Sequence, residues 1–323
     1  RQITYFTDFD ISYLSSGANN LVFEVGGNLY TMPAGTDEYQ KVDIHVVSDL
    51  SVEMTKREDV SKKIKNVTAS PEGKRLIFEA RGELFNVPKK DGYVMNMTKS
   101  SDAFDQNPAW SPDAKSIAYW SDKSGEYEIY IQDATMKKPA RKLTKRGKGF
   151  GYQLFWSPDS KKIAFVDEKN NINIVDISTG NIKVADNYSW NIGHGSRYSY
   201  PIHWSPDSKW ITYTIGQDNA NDAIFLYNLE TANSQQVTSG YYSDFNPVFS
   251  MDGKYLFFLT DRKFNPIYSG LGDATWVYPN NTQIAALALQ ADAEDLLHPK
   301  NDDLDEKEHT DSDKDEQIGG AHV

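Results

Sequence analysis

The 323-residue chain carries 34 Lys and Arg against 46 Asp and Glu, a net charge of −12, with no basic stripe to argue for nucleic acid and no apolar run of about 18 residues that could cross a bilayer as a helix. It has no cysteine, which excludes disulfides and thiolate metal sites and leaves the redox compartment open. The charge is uneven: 12 acids and 3 bases fall in residues 291–323, a local −9, so everything before carries only −3.

The chain begins at Arg1 rather than Met. Either a targeting segment has been removed or the sequence starts inside a longer gene, and a cytoplasmic or a periplasmic location fits equally. Gln2-Ile3-Thr4 resembles a phrase that closes later units, Val94-Met95-Asn96-Met97-Thr98, Arg141-Lys142-Leu143-Thr144 and Gln235-Gln236-Val237-Thr238. Such a strand with no unit before it is expected to complete the last sheet and remove its open edge.

Next comes a repeat. Trp110-Ser111-Pro112-Asp113, Trp156-Ser157-Pro158-Asp159 and Trp204-Ser205-Pro206-Asp207 each run through a small residue and a Lys into an apolar strand, Ile117–Trp120, Ile163–Val166 or Ile211–Thr214. Pro presets the first central φ of a type I turn, Asp bonds the turn's own amides, and the small residue tolerates the left-handed position. Degenerate copies lie at Ser16, Ser70 and Ser250, so the six Ser markers are 54, 41, 46, 48 and 45 residues apart. Several short strands per period of roughly 40–50 residues is the pattern of a β-propeller blade. The 13% aromatic content suits strands packed face to face between blades.

In chain order, blade one runs from about Asp8, with Gly26-Gly27-Asn28 turning into its third strand and a Lys- and Glu-rich surface excursion over residues 48–66. Blade two runs from about Val67, and blade three turns at Asp122–Tyr127. Blade four holds Asn171–Asp176, blade five Ala223–Asn228, and blade six ends at Ile284–Leu289. The fold class expected is all-β: a six-bladed β-propeller of four-stranded antiparallel blades over residues 1–290. Residues 291–323 form an acidic, flexible linker or tail that cannot bury a core.

The runs Phe78-Glu79-Ala80-Arg81-Gly82-Glu83-Leu84-Phe85-Asn86-Val87-Pro88, Ser121–Tyr130 and Asp261–Tyr268 resemble the first, N-terminal propeller of tricorn-type serine proteases. The Ser-Pro-Asp phrase is shared more widely, with TolB-like and prolyl oligopeptidase propellers. The resemblance implies a large, multi-domain, homo-oligomeric peptidase whose nucleophile, histidine and oxyanion hole lie in regions this chain does not contain.

No stretch offers chemistry of its own. Gly-x-Ser-x-Gly is absent, and Gly193-His194-Gly195-Ser196-Arg197 lacks the aligned base and orienting group that a nucleophile needs. The six histidines stand singly, and Asp311-x-Asp313-x-Asp315 fails as a calcium loop where Glu316 and His322 replace the required Gly and Glu. No catalytic, metal or cofactor residue is therefore assigned. If the Ser-Pro-Asp turns share one face, the opposite face carries Lys145–Phe150, Tyr188–Tyr200, Gly240–Asn246 and Arg262–Asn281. There Tyr188, Trp190, His194, Arg197 and Tyr198 are the candidate peptide or partner face, because aromatic and Arg groups dominate such contacts. Packing of these aromatics onto the blade tops is the competing reading. The function expected is a non-catalytic propeller guiding peptides or docking partners in a tricorn-like protease; the alternative is a free-standing TolB-like interaction scaffold.

Overall fold

A computed structural model of the protein describes residues 2–45, 47, 58–187, 197–263, 267–268, 276–277, 280–291, 293 and 296. The chain divides into two compact units, Arg1–Asp59 and Val60–Val323.

The first unit is one four-stranded antiparallel meander, β1 (Ile11–Ser16), β2 (Asn20–Val25), β3 (Asn28–Pro33) and β4 (Gln40–Lys41). Gly26 and Gly27, both at positive φ, make the tight β2–β3 turn that the right-handed twist of a hairpin favours. Its core is aromatic. Phe23 is buried, and Phe6 lies 6.1 Å from it, 5.0 Å from Tyr30 and 4.8 Å from Tyr39, ring centre to ring centre.

The second unit repeats the meander. Its sheets are β5 (Ile64–Ala69) to β8 (Met95–Asn96) through β6 (Arg75–Ala80) and β7 (Glu83–Pro88); β9 (Asp105–Trp110), β10 (Ser116–Ser121), β11 (Glu128–Asp133) and β12 (Arg141–Lys142); and β13 (Leu154–Trp156), β14 (Lys162–Val166), β15 (Asn171–Asp176) and β16 (Ile182–Asn187). A further sheet holds β17 (His203–Trp204), β18 (Trp210–Gly216), β19 (Asp222–Asn228) and β20 (Asn233–Gln236). The last pairs β21 (Asp244–Phe249) and β22 (Tyr255–Thr260) with β25 (Gln283–Ala288), and a small hairpin, β23 (Ile267–Tyr268) and β24 (Trp276–Val277), stands in the connection. The fold is all-β, with the repeated four-stranded antiparallel sheets of a propeller.

Alternation along each strand explains why the central strands are apolar on both faces. Ile117 and Tyr119 of β10 pack with Ile77 and Leu84 of the preceding sheet. Ala118 and Trp120, one residue out of phase, pack with Ile163, Phe165 and Val175 of the following sheet. The same relay continues from Val166 and Ile172 to Tyr213 and Ile215, and from Ile224 and Leu226 to Leu256 and Phe258.

The repeated phrase folds the same way each time. Ser111 Oγ donates to Asp113 Oδ1 at 2.6 Å and accepts from the Ser116 amide, while Asp113 Oδ1 accepts the Lys115 amide at 3.0 Å. Ser157 and Asp159, Ser205 and Asp207, and Ser250 and Asp252 repeat this knot. The residue after each Asp, Ala114, Ser160, Ser208 or Gly253, has φ between 58° and 73°.

Two expectations are adjusted. Gln2–Thr4 forms no strand, and the last sheet has three strands among the described residues; Phe6 beside that segment is instead drawn into the aromatic core of the first unit. The second-unit sheets begin at Ile64, a little before Val67, after a single 3-10 turn at Ser61–Lys63. β9 and β21 each carry a bulge at an Asn of φ 51°, Asn107 and Asn246, immediately before a Pro. Asn tolerates the left-handed region, and Pro removes the ladder donor. The proposed tail lies, apart from Ala291, Ala293 and Leu296, outside the described residues.

Candidate functional site

The Ser-Pro-Asp turns join first to second strands, so the second-to-third turns and the loops between sheets gather at the other strand ends of the second unit. Two carboxylates shape that end. Glu128, at the start of β11 and 3% exposed, accepts the Thr144 hydroxyl at 2.6 Å and the Arg146 amide at 2.9 Å with one oxygen, and the Gly147 amide at 3.2 Å with the other. Glu168, in the β14–β15 turn, accepts the Phe150 amide at 3.2 Å and pairs with the Arg146 guanidinium at 3.3 Å. The loop 145–150 is thus clamped from both sides.

Arg146 is drawn inward. Its guanidinium lies 4.9 Å from the Trp120 ring centre and 5.2 Å from that of Phe165, and it donates to the Phe150 carbonyl. Its stem and charge are occupied by the fold, so Arg146 is not a free anion-binding group. Trp120, fully buried, donates its indole N–H to the Tyr152 carbonyl at 2.6 Å. Gly151 has no side chain because a Cβ there would stand 2.3 Å from Trp120 Cγ.

The clamped loop presents a ladder of rings. Tyr127 meets Phe150 edge-on at 5.3 Å, Phe150 lies 5.1 Å from Tyr152, and Tyr198 meets Tyr152 at 5.3 Å and Phe150 at 6.1 Å. Tyr152 is buried, whereas Tyr127, Phe150 and Tyr198 are half-exposed. Arg197 donates from Nε and Nη2 to Asn170 Oδ1 at 2.9 and 2.7 Å, with its guanidinium 5.9 Å from the Tyr152 ring. Burial pushes the Tyr127 hydroxyl up to about 12, reinforced by the carboxylates of Asp122, Glu79 and Asp105 and by Tyr198; burial raises Tyr198 as well, with Tyr152 and Glu79 adding to it. Both phenols therefore stay neutral hydrogen-bonding groups through the physiological range.

Deeper in, Asn107 ties its own sheet to the preceding one and to the loop ahead of β13. Its amide N–H donates to Glu79 at 2.9 Å, its side-chain oxygen accepts from Asn66, and its side-chain nitrogen donates to the Gly151 carbonyl at 3.3 Å. Glu79 is 1% exposed and also receives Asn66.

Of the five residues proposed from sequence, Arg197 and Tyr198 are placed, and they meet at Tyr152. Tyr188, Trp190 and His194 lie outside the described residues. Sequence reading found the 145–150 loop but passed over Tyr127, Tyr152, Glu128 and Glu168. A Glu at the first position of a third strand, with Arg and Gly in the loop that follows the fourth, was the available signal. Among the described residues no group of three His, Asp or Glu side chains could hold a metal ion, and no helix is long and apolar enough to cross a membrane.

Comparison with known proteins supplies the family. Among solved structures, tricorn protease matches at 19% identity over 91% of this chain and 28% of that one, with a TM-score of 0.62. At that identity the likeness is one of fold, and the chain spans about 28% of the length of that structure. TolB of Agrobacterium tumefaciens matches at 18% identity (70% of this chain, 77% of that one, TM-score 0.45) and TolB of Acinetobacter baumannii at 19% (85% and 67%, TM-score 0.42). None of the curated proteins matches the sequence. The family model described as the tricorn protease second beta propeller domain matches residues 64–320; the sequence alone suggested tricorn's first propeller. With well over half its length so matched, the chain belongs to the tricorn protease second beta propeller domain family.

Proposed function

We propose that this chain is a non-catalytic propeller domain of a tricorn-like serine protease, and that it holds or guides unfolded peptide at the strand ends bearing Tyr127, Phe150, Arg197 and Tyr198. One observation carries the reading: the aromatic ladder is half-exposed yet rigidly backed by Glu128, Glu168 and buried Tyr152. Pre-organised aromatic groups bind at low entropic cost, since little freedom remains to be lost on contact. Neutral phenols beside an Arg already hydrogen-bonded to Asn170 suit peptide backbone and apolar side chains. Tyr188, Trp190 and His194, in the adjoining segment of sequence, belong to the same proposed face.

The wider frame belongs to the same proposal: a six-bladed domain over residues 1–290, an acidic linker or tail over 291–323, and catalysis, further domains and homo-oligomerisation residing in the parent protein. The recurrence of one strand order in successive sheets supports the blade count.

The test is binding of a fluorescent unstructured peptide library to the full chain, beside a peptidase assay on the same sample. Saturable binding without cleavage, weakened about tenfold by Tyr198→Ala or Arg197→Ala, is the expected result; tenfold corresponds to about 1.4 kcal/mol, ordinary for an aromatic or Arg contact. Cleavage by clean protein, or binding indifferent to both substitutions, overturns it.

A further inference from the structure

A second concave surface runs along the seam where β8 ends one sheet and β10–β11 begin to face it, reaching the loop face at Lys99, Ser100 and Lys123. It encloses about 890 Å³ between Tyr93–Ser100 on one wall and Tyr119, Tyr130, Gln132 and Met136–Ala140 on the other, within the size range of ligand and peptide clefts.

Its charge is one-sided. Lys99, Lys123, Lys137 and Lys138 line the groove, all exposed, and among the described residues none of the four forms an ion pair. Asp105 is the lining carboxylate, but it is 2% exposed and receives the Ser100 hydroxyl. Asp133, which feels Lys137 and Lys138, is already engaged by the Thr135 hydroxyl and amide. Four lysines without an ion pair in one groove stand out on a chain whose net charge is −12.

The groove also offers apolar and backbone contacts. Tyr119 and Tyr130 stack at 6.0 Å, and Met97, Met136 and Ala140 pack partly buried beside them. β8 has two residues and is the outer strand of its sheet, so its free edge presents backbone donors and acceptors. Tyr93 and Val94 before it are 76% and 59% exposed.

We propose that this groove is a docking site for an extended acidic peptide supplied by a partner, one that lays carboxylates on the lysine rim, apolar side chains on the Tyr–Met floor and main chain along β8. Addition of a strand at an exposed edge takes affinity from the backbone and specificity from alternate side chains. The lysines supply charge complementarity that steers encounter and rejects basic segments. The inference rests on residues separate from the aromatic ladder, so either can fail alone.

The probe is a labelled hexapeptide alternating Glu with Val and Tyr, titrated by anisotropy against the full chain, beside a counterpart with Lys in place of Glu. The expected result is saturable binding of the acidic peptide alone. Binding should weaken at least about tenfold in Lys137→Glu/Lys138→Glu and in Lys99→Glu/Lys123→Glu, should fall in 0.5 M salt as screening at a few ångströms requires, and should be unmoved by Tyr198→Ala. Residues 301–317 carry nine acids, so a third variant replaces those with Asn and Gln. Binding that appears only in that variant would make the chain's own segment the occupant and overturn the partner. Equal binding of both peptides, no binding, or indifference to the lysine substitutions would overturn the site.

Discussion

The seams between the sheets of β9–β12, β13–β16 and β17–β20 differ from the seam between β17–β20 and the last sheet in two residues per repeat. At the former, the Asp113 amide donates to Ser160 Oγ and the Asp159 amide to Ser208 Oγ, both at 3.1 Å, so each turn is bonded to the next. Trp156 and Trp204 each donate an indole N–H back to the preceding sheet, to the carbonyls of Ala109 and Phe155 at 3.0 and 2.9 Å. In the last sheet Gly253 stands where the Ser hydroxyl is needed and Phe249 where the indole is needed. There an open groove of about 520 Å³ runs between Asp207, Trp210, Leu226 and Val237 on one side and Phe249, Gly253 and Leu287 on the other. A single repeat sequence thus ties each turn to the next sheet or leaves it untied according to one hydroxyl and one N–H, the last seam keeping the Asp222 amide to Ser243 Oγ bond at its other end, and stability should follow nearest-neighbour terms.

The strongest way to break this comparison is to empty a bonded seam. Trp120→Ala removes a fully buried indole that touches Phe165 at 5.3 Å and bonds the Tyr152 carbonyl, and should cost about 3–5 kcal/mol in urea unfolding. Phe249→Ala, at the open seam and only partly buried, should cost clearly less. Overfilling is next: Gly151→Ala pushes a Cβ into Trp120 and should cost about 1–3 kcal/mol.

Smaller substitutions sharpen the rule. Trp156→Phe and Trp204→Phe each lose one indole bond and should cost about 0.5–1.5 kcal/mol beyond the packing change. Trp110 Nε1 is buried without a partner, so Trp110→Phe should cost nothing from that source. Ser160→Ala and Ser208→Ala should each cost about 1 kcal/mol, and Ala114 shows that alanine accepts the same φ.

The smallest effect is on pH. Burial works to raise the carboxyls of Asp113 and Asp159, but the Ser111 and Ser157 hydroxyls and the following Lys amides outweigh it and hold both below the usual value. Because they return to an ordinary value of about 3.9 on unfolding, their charged forms favour the fold above about pH 4, and that support is lost as pH falls through the lowered values. Asp159→Asn should flatten the acid limb of a stability profile, with little change to its alkaline side.

The sequence carried most of the scaffold because turn chemistry and period-two alternation are local. Ser-Pro-Asp located the hairpins, and Ile117 through Trp120 announced a strand buried on both faces. What it missed depends on neighbours distant in sequence. Nothing near Glu128 says that its donors are Thr144, Arg146 and Gly147, and Tyr152 reads as an ordinary strand residue until Trp120 and Tyr198 are brought to it. Asn107-Pro108 and Asn246-Pro247 were not singled out from sequence, although Pro inside a strand removes a ladder donor and so marks a bulge.

The account's central claim is that the clamped aromatic ladder is where peptide is held. Amide hydrogen exchange of the full chain, with and without a saturating unstructured peptide, tests it most directly. Slowed exchange at residues 145–152 and 197–200, with the Ser-Pro-Asp turns unchanged, is the result expected. Saturable binding that leaves those two segments unprotected would contradict it.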